Sequence, residues 1–176
     1  MSRSNPQKHK RRVASRMLLV FGEGMCEEVF LKYLKSIYSR DTGVAVTIRK
    51  GKGGAPENVV MDADKIPGAF DRKVVVLDND KGEEEIRRAR KQAKERGIEL
   101  IEITPCLEAV LLSILNDGKS YSDKTSAWCK SEFESKYIDH KRRNDPTEYE
   151  KVFPKTLVDS QKKKIVDLEK LIALMT

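Results

Sequence analysis

Lys73-Val74-Val75-Val76-Leu77-Asp78-Asn79-Asp80 is the stretch that decides the fold of this chain. Four apolar residues in a row, three of them β-branched, stop abruptly at two acids and an asparagine. A strand that is apolar on both faces is buried on both faces. That is the habit of a parallel sheet covered by helices, not of a half-solvated antiparallel one.

Working outward from this strand, the same unit recurs. Met17–Phe21 is a short apolar run that turns through Gly22-Glu23-Gly24 into a helical pattern, with Val29, Phe30, Tyr33, Leu34 and Ile37 at three- and four-residue spacing. Val44–Ile48 reads as a second strand. Lys50-Gly51-Lys52-Gly53-Gly54-Ala55-Pro56 follows as a loop, and a short helix is expected over Glu57–Lys65. Downstream, Glu83–Arg96 predicts an exposed helix with a thin apolar stripe (Ile86, Ala89, Ala93), acid–base pairs at i,i+4, and Gly97 as its stop. Ile98–Ile103 is a fourth strand, broken by Thr104-Pro105. Cys106–Leu115 is apolar nearly all round and predicts a buried helix. Four alternations of strand and helix predict an α/β fold, a mostly parallel four-stranded sheet with helices on both faces.

After Asn116 the pattern weakens. Residues 117–147 are polar and only faintly periodic, and from Lys155 one helix is expected to run to the end, with Val158, Ile165, Leu168, Ile172 and Met175 on one face. The predicted organisation is a basic arm over 1–16, an α/β domain over 17–116, and a polar connection with a C-terminal amphipathic helix over 117–176 that packs on the domain.

The 176 residues suit one domain with a real core. Hydrophobic residues make up 39 % and charged residues 36 %, so a heavily charged surface surrounds ordered apolar runs, which excludes a disordered chain. The net charge of +7 favours polyanionic partners, nucleic acid first. Lys8, Lys10, Arg11 and Arg12 in the arm, which has no acid, are candidate phosphate contacts. Cys26, Cys106 and Cys129 have neither disulfide-framework nor zinc spacing and read as free thiols of a reducing compartment. No apolar run is long enough for a membrane span and no signal-peptide pattern opens the chain, so a cytoplasmic protein is expected. His9 and His140 have no evident partner, and Trp128 reads as a packing anchor rather than a base-stacking platform.

Ligands of open α/β sheets bind at the carboxyl ends of the strands. Glu23 follows the first strand, Asp78 and Asp80 the third, and Glu108 the fourth, with Glu27 one helical turn beyond Glu23. Each has an ordinary reading alone. Glu23 and Glu27 complement a helix N-terminus, Asp78-Asn79-Asp80 makes a turn, and Glu108 caps its own helix. Together they predict a cation, because five acids on one sheet edge repel one another. An all-oxygen set suits Mg²⁺ or Mn²⁺. Lys50 and Lys52, with the glycines between them, are further candidates for phosphate contact, although the pattern is not a P-loop.

A strand ending in Glu23-Gly24-x-x-Glu27, followed by a strand ending in Asp78-x-Asp80, resembles the Toprim domain of topoisomerases, primases and OLD-type nucleases. The Gly-rich segment before Pro56 and Thr104-Pro105-Cys106-Leu107-Glu108 resemble the RloB-like, phage-defence branch, with Thr104 in place of Asn and Leu107 in place of an aromatic. The resemblance spans residues 17–116. It implies a Toprim-like fold, Glu23 as catalytic acid/base or metal ligand, Asp78 and Asp80 as catalytic residues holding Mg²⁺, Glu27 as a supporting ligand, Glu108 as a ligand or a carboxylate behind the ligands, and nucleic-acid cleavage in host defence beside an ATPase partner. Two rivals compete. One is a haloacid-dehalogenase-like phosphatase with Asp78 as nucleophile, which Lys81 disfavours. The other is a nucleic-acid-binding module without catalysis.

Overall fold

The structure is a computed structural model and describes residues 15–139 and 141–176. Four strands, β1 (Arg16–Gly22), β2 (Val44–Lys50), β3 (Arg72–Asp78) and β4 (Glu99–Ile103), form one sheet in the order β2-β1-β3-β4. Every neighbouring pair is parallel. The helices α1 (Met25–Tyr38), α2 (Pro56–Asp64), α3 (Glu83–Glu95) and α4 (Leu107–Leu115) follow the strands in turn, and α5 (Ser126–Lys136), α6 (Pro146–Val152), α7 (Lys155–Gln161) and α8 (Val166–Ala173) complete the described residues. This is a Rossmann-like three-layer α/β architecture.

The period-two alternation of the strands divides the apolar residues between the layers. Leu18 and Val20 of β1, Val46 and Ile48 of β2, and Val74 and Val76 of β3 face a large core shared with α1 and α4 through α8. Phe21, Val75 and Leu77 face the other way, into a smaller core with α2 and α3. Right-handed crossovers account for this division. The chain moves one way from β1 to β2 and the opposite way from β2 through β3 to β4, so α1 falls on one face and α2 and α3 on the other.

The polar stretch after Asn116 holds two helices that its weak periodicity hid. Thr125 caps α5, its hydroxyl accepting the Trp128 N–H, and only Cys129 and Phe133 of that helix are buried. Asp145 caps α6 ahead of Pro146, and Tyr149 is its buried residue. The single C-terminal helix expected from Lys155 is instead two. Gln161 Nε2 donates to Asp117 Oδ1 at 3.0 Å, Lys164 Nζ pairs with the same oxygen at 2.5 Å, and Ile165 takes an extended conformation. The Asp117 carboxylate draws both side chains to one point, and the chain turns there. Val158, Ile165, Leu168, Ile172 and Met175 are nonetheless all buried in the large core, joined by Leu171 and Leu174. No helix among the described residues is long and apolar enough to cross a membrane.

Candidate metal centre

β1 and β3 are neighbours whose onward connections diverge, so the crevice between their carboxyl ends is the topological switch point of the sheet. Gly22 ends β1. A Cβ there would lie 2.6 Å from Glu27 Cβ, so only glycine lets the first turn of α1 close over the strand end. Glu27 Oε2 accepts the Gly24 N–H at 2.8 Å, fixing that turn. Gly51 N–H donates to Gly22 O at 2.9 Å and Gly53 N–H to Glu23 O at 3.2 Å, so the glycine-rich loop after β2 lies across the same strand end.

β3 delivers Asp78. Its backbone N–H reaches Glu23 Oε2 at 3.4 Å, its Oδ1 accepts the Leu107 N–H at the start of α4 at 3.0 Å, and its Oδ2 lies 3.5 Å from Lys130 Nζ of α5. Asn79 N–H donates to Ile103 O at 2.7 Å and extends the β3–β4 pairing, which brings α4 beside the site. Glu108, in the first turn of α4, is 6 % exposed, and its buried Oε2 has no hydrogen-bond partner among the described residues. A buried carboxylate oxygen left without a partner is costly, which sets Glu108 apart from an ordinary helix cap.

Glu23, Glu27, Asp78 and Glu108 thus line one cleft of about 210 Å³, with Lys130, Arg143 and Gly53 at its walls. A hollow of similar size between α4 and α8 is lined by Ser113, Tyr121 and Lys164, with Asp167 as its one acid. Burial pushes the Asp78 carboxyl up to about 8, with Glu27 and Glu108 adding to the rise and Lys130 opposing it. Burial also raises Glu23 and Glu27, the first against the Asp78 N–H, the second against its own backbone hydrogen bonds. For Lys130, burial would favour the neutral amine, but the Glu108 and Asp78 charges outweigh it and hold the ammonium above its usual range. The cleft is a concentrated negative site with one ammonium for partial compensation.

The remaining sequence candidates are placed differently. Asp80 stays at the rim, paired with Lys81 at 3.6 Å, and does not line the cleft, although its charge reaches Glu23. Lys50, the last residue of β2, and Lys52, on the loop tethered to β1, are both exposed. Lys8, Lys10, Arg11, Arg12, His9 and His140 lie outside the described residues. Trp128 is 40 % exposed and stacks on Tyr121 at 5.9 Å, so it covers a neighbour without being enclosed. Residues that escaped the sequence reading are Lys130, Arg143 and Cys26, which line the cleft, and Cys106, whose sulfur lies near Asp78 and Glu108. Cys106 sits two positions before Glu108, so its place was discoverable. Lys130 and Arg143 come from the polar stretch, where spacing carried no signal. Comparison with protein-family models, curated proteins and solved structures found no match to this chain.

Proposed function

We propose that this chain is a metal-dependent nuclease that hydrolyses nucleic-acid phosphodiesters. Glu23, Glu27, Asp78 and Glu108 would hold Mg²⁺ or Mn²⁺, with Asp80 at the rim. The observation that carries the reading is the unpartnered, buried Oε2 of Glu108 in a cleft where three further carboxylates converge at the switch point. A divalent ion there would lower the proton affinity of bound water and neutralise charge on a phosphodiester. The protein's own groups have distinct tasks. Glu23, partly buried and more basic than an ordinary carboxylate, moves a proton at its Oε atoms. Lys130 stands at the cleft wall to meet an anionic oxygen, and Lys50 and Lys52 hold neighbouring phosphates. The likeness of Glu23-Gly24-x-x-Glu27 and Asp78-x-Asp80 to Toprim nucleases supports the substrate class, and extends the proposal to host defence with an ATPase partner.

One observation favours a binding module without catalysis: Asp78 accepts the Leu107 N–H, which is a structural role. The phosphatase alternative fits less well, because Asp78 is 4 % exposed with its two oxygens turned to Leu107 and Lys130. The test is incubation of the purified chain with a panel of DNAs and RNAs in Mg²⁺, Mn²⁺ and EDTA. Cleavage in Mg²⁺ or Mn²⁺ that disappears in EDTA and in Asp78→Asn is expected. Metal-independent binding with no cleavage would support the binding module instead.

A further inference from the structure

Behind the cleft wall, Asp78 and Glu108 share with Cys106 a set of ligand atoms that an all-carboxylate reading does not contain. The Cys106 sulfur and one carboxylate oxygen each of Asp78 and Glu108 lie within 4.8 Å of one another, and all three residues are buried. Carboxylates alone suit Mg²⁺ or Mn²⁺, and a thiol in the set changes the preference: sulfur is a poor partner for Mg²⁺ and a good one for Zn²⁺ and ions like it. Cys106 itself is fully buried, and Glu108 supplies an oxygen with no protein partner. A buried carboxylate oxygen without a partner points to a ligand by an argument independent of the charge of the cluster.

We propose that Asp78, Cys106 and Glu108 form a site for a thiophilic divalent ion of the Zn²⁺ class, bound by one thiolate and two carboxylates. Three protein ligands leave a fourth tetrahedral position for water or a phosphate oxygen. Zinc–sulfur and zinc–oxygen bond lengths put the ligand atoms about 3.3–3.5 Å apart. The present spread of at most 4.8 Å thus closes by at most about 1.5 Å, within reach of side-chain rotation. The Lys130 ammonium, 3.5 Å from Asp78 on a side chain 44 % exposed, withdraws to solvent as the ion enters. The Cys106 S–H bond breaks, a sulfur–metal bond forms, and the proton passes to solvent, with no change of oxidation state. A thiol coordinated to a divalent ion is deprotonated outright.

Asp78 and Glu108 serve both ions, so the soft ion and Mg²⁺ exclude each other. The soft ion binds tighter and locks the cleft. This rests on the same carboxylates as the nuclease reading but not on hydrolysis.

The experiment uses the full chain with Co²⁺ and Cd²⁺ as spectroscopic probes, and Zn²⁺ and Mg²⁺ in melting and calorimetric titrations. A thiolate-to-metal charge-transfer band is expected, in the near ultraviolet on adding Co²⁺ and in the far ultraviolet on adding Cd²⁺, with Zn²⁺ saturating well below the Mg²⁺ concentration needed. Cys106→Ser should abolish the band and weaken Zn²⁺ by more than the ~10–100-fold that loss of an outer-shell partner costs. Cys26→Ser and Cys129→Ser should keep the band. No band in the unaltered chain, a band that survives Cys106→Ser, or Zn²⁺ binding no tighter than Mg²⁺ overturns the proposal. Loss of the Mg²⁺ response alone counts against the nuclease reading and leaves this one standing.

Discussion

Asp78 accepts the Leu107 N–H and lies beside Lys130, yet burial and its carboxylate neighbours push its proton affinity up to about 8. Between the ordinary aspartate value of 3.8 and about 8, the folded metal-free chain keeps a proton that the unfolded chain has released. The folded state binds more protons, so stability falls as pH rises through that window. Glu23 and Glu27, also raised, act in the same direction. In chelator, the melting temperature should decline from pH ~5 to pH ~8, and saturating Mg²⁺ should flatten the decline by replacing protons with a cation. Asp78→Asn, which keeps an acceptor for the Leu107 N–H and removes the charge, should flatten it without metal. Parallel slopes for the two proteins in chelator would mean the carboxylates do not strain one another. The same charges give Lys130 a measurable role. Lys130→Met keeps the apolar stem and removes the ammonium 3.5 Å from Asp78. The metal-free variant should melt earlier, and calorimetry should show tighter Mg²⁺ binding, since a competing positive charge has gone. Unchanged affinity would place Lys130 outside the cation's field.

At the scale of elements, the sheet and its first four helices were readable because apolar runs, glycine turns and acids mark every boundary. Met17–Phe21 became Arg16–Gly22, and Lys73–Leu77 became Arg72–Asp78. Glu23, Glu27, Asp78 and Glu108 were readable as a group for the same reason, since a parallel sheet collects its strand ends on one edge. Helices α5 and α6 were not readable, because two buried residues in one and one in the other give no period to detect. Thr125 and the Asp145-Pro146 pair were the available signals, a side-chain cap and a proline at the first helical position. Lys130 was hidden with them, because its partnership with Asp78 joins residues 52 positions apart. Gly22 makes the sharpest element-scale test. An added Cβ would stand 2.6 Å from Glu27 Cβ, an atom fixed by the backbone of α1. Gly22→Ala should therefore push α1 off the strand end and cost about 1–3 kcal/mol, as overpacking does. Urea unfolding would measure it, and the Mg²⁺-induced shift in melting should shrink as Glu27 is displaced. A variant of unchanged stability would show that the turn has slack.

For the whole molecule, the question is how much of the chain the sheet needs. Val158, Leu168, Leu171 and Met175 are fully buried in the core that also holds Val20 of β1 and Val74 of β3. The C-terminal helices are thus the outer wall of the layer that positions α1 and α4, which carry Glu27 and Glu108. Burying four such side chains contributes about 6–12 kcal/mol in all. That is comparable to the whole stability of a typical domain, about 5–15 kcal/mol. Ending the chain at Pro154 should therefore not trim an appendage. It would strip from α1 and α4 the faces that α8 and α7 cover, and the truncate should be insoluble or lack a cooperative melting transition. Tyr38 adds a polar tie, its hydroxyl donating to Asp159 Oδ1 at 2.8 Å, which deletion would also remove. Circular dichroism melting of the truncate beside the full chain decides the point. A soluble truncate with an unchanged midpoint would show that the sheet, α1 and α4 close a core of their own, and the metal-dependent stabilisation should then survive as well.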